Sequence, residues 1–170
     1  WEQNLLLNNH INKFSTMIYN RIKFLSLALS LGLQFNAAWA QTLKDVQKLI
    51  DNEQFETALS QLDALITKGE ADGYYYKGYV LQELDEPQEA FKLYEAGIVK
   101  NNNSALNYVG IGRKYLAFGD ITTAKENFEK AMALAPKDVN VFNGVAEAYI
   151  KSPQKDFSKA LVVIEKAEKL

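Results

Sequence analysis

The sequence contains no cysteine, a single histidine and only three prolines among its 170 residues. Without cysteine the chain has no disulfide, no thiolate metal ligand and no thiol nucleophile. The lone histidine, His10, lies near the N-terminus, so acid–base or metal chemistry built on histidine is not expected. The chain also lacks an excess of basic residues. Its formal charge of −2 argues against nucleic-acid binding, because phosphate recognition requires clustered lysine and arginine.

The composition is otherwise that of an ordinary globular protein, with 48% hydrophobic and 24% charged residues. This balance excludes a disordered or collagen-like chain, and the length suits one domain or a short repeat array. No segment shows the alternating β-branched pattern that is typical of strands, so no sheet is expected.

The first forty residues are predicted to be separate from the fold. After Met17 come a basic start, a short apolar run and the small-residue ending Ala38-Trp39-Ala40. This three-part pattern is typical of a secretory signal peptide over residues 17–40, with cleavage after Ala40. The apolar run is short for a membrane span, and an uncleaved anchor is the alternative. Residues 1–16 are interpreted as a non-native upstream extension.

The signal pattern predicts an exported protein, located in the periplasm or at the cell envelope. The mature chain is then expected to have no membrane contact unless the signal segment is retained. Removal of the first forty residues takes away more basic than acidic residues, which makes a nucleic-acid or anionic-membrane partner less expected still.

The remainder of the chain repeats itself with a period of 34 residues. One aromatic position and one small position illustrate the period: Tyr74, Tyr108, Phe142; and Gly78, Gly112, Ala146. A second small residue follows within each unit, as Ala90, Ala124 and Ala160; the last lies 36 residues after Ala124, because the last unit contains an insertion of two residues. Small residues let two helix backbones approach closely, so each unit is predicted to be a pair of packed helices.

Turn residues predict where these helices begin and end. Gly119 is expected to end one helix and Asp120 to cap the next. Asp138 and Ser104 are expected to cap the helices that follow them. Pro87 suits the first turn of a helix, where its missing N–H costs little.

This pattern resembles that of the tetratricopeptide repeat family. Residues 105–138 match the family at eight positions, namely Tyr108, Ile111, Gly112, Tyr115, Ala124, Phe128, Ala131 and Pro136. The resemblance implies an all-α fold, a right-handed superhelical solenoid of antiparallel helix pairs. About four units are expected, at residues 41–70, 71–104, 105–138 and 139–170. The last unit has no shielding helix after it, so further repeats or another domain are expected beyond Leu170, with a dimer as the alternative.

The resemblance also implies a binding surface, because the first helix of each unit lines the concave face in this family. Position by position, the predicted partner-binding residues are Tyr75, Tyr76, Tyr79, Arg113, Asn143 and Glu147. Tyrosine is a common interface anchor, and Arg113 is expected to be available for an acidic group or a C-terminus. The alternative is that the tyrosines fill gaps between helices. The lysine and asparagine clamp that one subclass uses for C-terminal carboxylates is absent.

The predicted function is a non-catalytic scaffold that binds a protein or peptide partner on the concave face. No catalytic residue, cofactor, metal ion, nucleic acid or small-molecule substrate is expected. Two alternatives stay open. The repeats are the recruiting arm of an envelope enzyme whose catalytic domain lies beyond residue 170, or the chain is a membrane-anchored envelope assembly factor.

Overall fold

The computed structural model describes residues 42–170, and the predicted signal segment and His10 lie outside this range. Within the range the chain forms eight α-helices and no strand, which confirms the all-α prediction. In chain order they are α1 (Leu43–Asp51), α2 (Phe55–Thr67), α3 (Asp72–Glu83), α4 (Pro87–Lys100), α5 (Ala105–Ala117), α6 (Ile121–Leu134), α7 (Val139–Lys151) and α8 (Phe157–Ala167).

The helices form a repeat solenoid of four pairs, each joined by a short turn. The first helices of successive pairs contact one another in the order α1, α3, α5, α7, and we call this set the inner row. The second helices, α2, α4, α6 and α8, form the outer row, and each of the first three packs on the first helix of the next pair. The core therefore lies between the two rows.

Small residues lie where the paired helices touch, as the repeated spacing predicts. A Cβ atom added to Gly112 in α5 would lie 2.2 Å from the ring of Phe128 in α6. A Cβ atom added to Gly78 in α3 would lie 2.5 Å from the ring of Tyr94 in α4. Both rings are almost fully buried. A larger side chain at either glycine would therefore force the pair apart.

The predicted helix boundaries are confirmed with one exception. Asp120 and Asp138 each accept a backbone N–H hydrogen bond at 3.0 Å at the start of α6 and α7. Helix α4 begins at Pro87. Ser104 precedes α5, but its hydroxyl makes no capping bond to the helix backbone and instead donates to the Asp72 carboxylate at 2.6 Å. The prediction that the Ser104 side chain caps α5 is wrong, because the hydroxyl oxygen accepts from the side-chain amide of Asn107 at 2.8 Å and not from a backbone N–H.

The turn within each pair contains one residue in the left-handed backbone region. These residues are Glu53, Asp85, Gly119 and Lys155, with φ values of 56°, 64°, 79° and 46°. The shared backbone conformation gives the four pairs the same reversal of direction. The turn between α7 and α8 runs from residue 152 to 156, two residues longer than the turn between α5 and α6, so the insertion in the last unit lies in a turn.

Candidate partner-binding groove

The exposed side of the inner row is concave. The hydroxyl of Tyr79 in α3 donates a hydrogen bond of 2.7 Å to Oε1 of Glu147 in α7, although α5 lies between these helices in the row. In a straight row, the side chains of two helices that are separated by a third helix would be too far apart to form this hydrogen bond. The row must therefore bend toward this side.

A groove of about 330 Å³ lies in this concavity, and we call it the concave groove. Its walls come from α1, α3 and α7, which belong to three different helix pairs. The lining residues are Gln47, Ile50, Asp51, Tyr75, Tyr76, Tyr79, Asn140, Asn143, Gly144 and Glu147.

Five of the six predicted binding residues line the concave groove, and the sixth, Arg113, is buried behind it. Tyr75 and Tyr76 are also buried, with their rings edge to face and 5.2 Å apart. These two tyrosines therefore fill space between helices and also form part of the groove wall. Tyr74, which the repeat pattern places in the core, is only half-buried. The part that these residues play in binding a partner stays a prediction.

A network of charged and polar groups crosses the inner row beside the groove. Arg113 and Glu147 pair at 2.8 Å, and Lys151 lies 2.9 Å from Glu147 and 2.6 Å from Glu83. The guanidinium of Arg113 also lies 5.1 Å from the centre of the Tyr79 ring. We call these five residues the inner-row network. It ties α3, α5 and α7 together and pairs both of its cations within the chain.

The inner-row network explains why Arg113 is not available as expected. Its side chain is only 6% exposed and is directed to Glu147, so a partner carboxylate would have to displace that ion pair. Sequence reasoning missed this pairing, although the signal was present. Arg113 lies 34 residues after Tyr79 and 34 residues before Glu147, so the arginine and the glutamate occupy the same position of adjacent units.

The network also shifts the pKa values of its members. Burial by itself would raise the pKa of Glu147, but the Arg113 charge and hydrogen bonds from Lys151 and Tyr79 outweigh it and lower that pKa. Burial, followed by the hydrogen bond to the Glu147 carboxylate, raises the pKa of Tyr79 to about 12. Near neutral pH, Glu147 is therefore charged and Tyr79 is protonated.

Two groove residues present amide groups that have no hydrogen-bond partner among residues 42–170. These are Asn140 and Asn143 of α7, and both side chains are exposed. A side-chain amide carries both donors and an acceptor. It can therefore pair with the N–H and C=O groups of an extended polypeptide.

No family model matches the chain. The curated tetratricopeptide repeat protein 1 of Schizosaccharomyces pombe is 25% identical to it over 100 residues, which are 57% of this chain and 9% of that protein. The 34-residue repeat, the stacked helix pairs and this similarity agree. The chain is therefore similar to tetratricopeptide repeat proteins in its sequence repeat and in its stacked helix pairs. It spans only a small part of the length of this curated relative.

Solved structures of similar proteins include MamA and YrrB. The MamA structure is 26% identical, with a TM-score of 0.48, and the match covers 75% of this chain and 79% of that one. YrrB, described as a TPR protein with an unusual peptide-binding site, is 20% identical, with a TM-score of 0.44 and coverage of 74% and 64%.

Sequence reasoning missed the contribution of the first repeat to the concave groove. Gln47 in α1 donates a hydrogen bond from its side-chain amide to the hydroxyl of Tyr76, and Ile50 and Asp51 complete this wall. Helix α1 is short and its unit matches the family pattern poorly. Position 9 of that unit is nevertheless Gln47, the position that holds Tyr79 in the second repeat, so the pattern contained the necessary signal.

Two further findings concern the described residues alone. Between residues 42 and 170, no three side chains of His, Cys, Asp or Glu are grouped so that they could hold a metal ion. In the same range of the repeat array, no helix has the length and apolar character that crossing a bilayer requires.

Proposed function

We propose that this tetratricopeptide repeat array binds an extended segment of a partner polypeptide in the concave groove. The observation that carries the proposal is the presence in one groove of two amides that lack a partner within residues 42–170, Asn140 and Asn143, opposite a wall of tyrosines. Solenoids of this kind use their concave surface for binding, because it offers a long area supported by rigid helices.

The groove has the chemistry to hold a peptide main chain. The amides of Asn140 and Asn143 would hydrogen-bond to backbone groups, while Tyr76 and Tyr79 would provide apolar contact with a polar tip. Asp51 is exposed at the edge of the groove and makes no ion pair with another residue of the range 42–170. A cationic side chain of the partner would therefore suit that end.

A C-terminal carboxylate does not suit the concave groove as an anchor. The two nearby cations, Arg113 and Lys151, are already paired with Glu147 and Glu83. Capture of a carboxylate would break one of these pairs and leave a buried or half-buried charge without its partner. The proposed ligand is therefore an internal, extended segment.

We infer that the role of the array is non-catalytic. Proton transfer is most efficient when the pKa of the catalytic group lies near the working pH. In the concave groove the pKa of Tyr79 is raised to about 12 and that of Glu147 is lowered, so both are displaced from neutrality. Mutual pairing of this kind suits a stable surface better than an acid–base site.

We also propose that the protein acts in the periplasm or at the cell envelope. The support is the signal-like pattern over residues 17–40, which ends at Ala40. Mass spectrometry of the protein isolated from its natural host tests this directly. A mature N-terminus at Gln41 is expected, whereas a retained signal segment would favour the anchored alternative.

Binding to the concave groove can be tested before the natural partner is identified. Peptides are first selected from a random display library for binding to the full chain. Their affinity is then measured for the wild type, for Asn143→Ala and for Asn102→Ala. Asn102 is an exposed residue in the turn before α5 and serves as the matched control. Loss of one or two hydrogen bonds in Asn143→Ala is expected to weaken binding about tenfold. Asn102→Ala is expected to bind like wild type. Equal affinity of all three proteins would contradict the proposal.

A further inference from the structure

A second groove lies on the outer row, between α6 and α8, and it is distinct from the concave groove. Its volume is about 330 Å³, and we call it the outer groove. Buried rings of Phe128 and Tyr149 form its floor together with Val145 and Val163. Val162 of α8 lies on its wall and is 52% exposed. The outer groove therefore presents apolar surface to solvent.

The repeat provides an internal comparison, because an equivalent groove lies one unit earlier, between α4 and α6. There an ion pair between Lys114 and Glu95 crosses the groove, and Asn127 lies on its lining. In the outer groove Ala148 takes the position of the lysine and Val163 that of the asparagine, so no such ion pair crosses it. An ion pair therefore crosses the earlier groove, whereas the outer groove keeps an apolar floor, with the ammonium of Lys159 5.6 Å from the centre of the Tyr149 ring.

This comparison also shows that a following repeat would not fill the outer groove. The earlier groove is open even though the next helix pair, α7 and α8, is in place behind it. A fifth helix pair at the corresponding position would leave the outer groove open in the same way. Its exposure is thus a property of the surface between two successive outer helices.

The rim of the outer groove is cationic. Lys125, Lys159 and Lys166 line it, against a single carboxylate, Glu129. Lys125 lies 3.6 Å from Glu129, and Lys159 lies 2.7 Å from Asp156. Lys166 is exposed and forms no ion pair with another residue of the range 42–170. The surplus positive charge surrounds an apolar floor in a chain whose overall formal charge is −2.

We propose that the outer groove binds an amphipathic helical segment of a partner protein, with apolar side chains on the floor and carboxylates toward the lysine rim. Insertion of an amphipathic helix into an apolar groove is a recurring mode of peptide recognition. The lysines select an acidic helix over a basic one, because complementary charge favours encounter and opposes the wrong partner. This interaction is independent of the concave groove.

Two synthetic helical peptides of about four turns test the charge selection. Both carry the same leucine stripe, with glutamate at the flanking positions of one and lysine at those of the other. Fluorescence anisotropy with the full chain is expected to give at least about tenfold tighter binding of the glutamate peptide. The double variant Lys125→Glu/Lys166→Glu is expected to reverse the preference.

Two matched serine variants test the location. Val162→Ser removes an apolar side chain from the outer groove, whereas Leu161→Ser removes its neighbour, which is 56% exposed and does not line the groove. Since both residues are exposed, both variants are expected to retain the wild-type circular dichroism spectrum. Val162→Ser is expected to weaken binding of the glutamate peptide about tenfold, and Leu161→Ser and Asn143→Ala to leave it unchanged.

Four results would overturn the proposal. These are equal affinity for the two peptides, absence of binding by both peptides, equal losses in Val162→Ser and Leu161→Ser, and concentration-dependent self-association that Val162→Ser abolishes. The last result, seen by sedimentation, would make the outer groove an interface between copies of this chain.

Discussion

Replacement of Gly112 by alanine tests the close helix crossing that defines each repeat. The added Cβ would lie 2.2, 2.5 and 2.8 Å from three atoms of the Phe128 ring, so the ring must move by more than about 1 Å to reach ordinary contact. Phe128 is 1% exposed and packs edge to face on Tyr149 at 5.1 Å, so it has little room to move. Overpacking of this kind costs about 3 kcal/mol. Alanine regains about 1 kcal/mol through its better helix propensity. The expected loss is therefore about 2 kcal/mol.

Urea unfolding followed by circular dichroism measures this loss as a lower midpoint with an unchanged slope. The matched control repeats the substitution in a Phe128→Leu background, where the smaller side chain leaves room for the new methyl group. In that background Gly112→Ala is expected to be nearly neutral or stabilising. The reasoning would be refuted if Gly112→Ala costs nothing in the wild-type chain, or costs the same in both backgrounds.

Three further predictions concern stability and use the same unfolding assay. Ala124 is fully buried on the facing helix, and Ala124→Leu is expected to cost about 1–3 kcal/mol; an unchanged midpoint would contradict the assigned contact. Gly119 has a φ of 79° and its added Cβ would meet no atom closer than 4.0 Å, so Gly119→Ala is expected to cost about 1 kcal/mol from the backbone alone. A much larger cost would point to a missed contact. Glu147→Gln leaves the buried Arg113 without its counter-charge and is expected to cost about 3 kcal/mol near neutral pH. Because the pKa of Glu147 is lowered by folding from its ordinary value of 4.5, its charge stabilises the fold above that pH, and this contribution is lost as the pH falls through the folded value. The difference between wild type and Glu147→Gln should therefore shrink as the pH falls below 4.5 and through the lowered pKa of the folded state, and a constant difference would exclude the ion pair as its cause.

The parts of the fold that depend on neighbouring residues could be predicted from the sequence. Gly112 and Ala124 mark a helix crossing because their spacing places them on two successive helices that a short turn connects. Asp120 caps α6 through a backbone group three residues away. Ser104 failed as a predicted cap because its hydroxyl accepts from the Asn107 amide and donates to Asp72, which is 32 residues distant in the chain and is reached only through tertiary packing.

The geometry of the candidate site was harder to predict, because it depends on the curvature of the inner row, and the sequence of a single unit does not determine that curvature. The bend of the inner row brings Tyr79 to Glu147, 68 residues later, and this bend sums small rotations over several helix contacts. Individual lining residues could be assigned from repeat position, but the pairing of Arg113 with Glu147 required a comparison of adjacent units. Repeat position places both exposed asparagines, Asn140 and Asn143, on the concave face, but only Asn143 was among the predicted binding residues.

Hydrogen–deuterium exchange of the full chain, with and without a peptide selected from the display library, tests most directly where a partner binds. Binding in the concave groove predicts slower exchange in α1, α3 and α7, the three helices that form its walls, and little change in α2 and α4. Slower exchange confined to the outer-row helices, or no change at any helix of the inner row, would contradict the account.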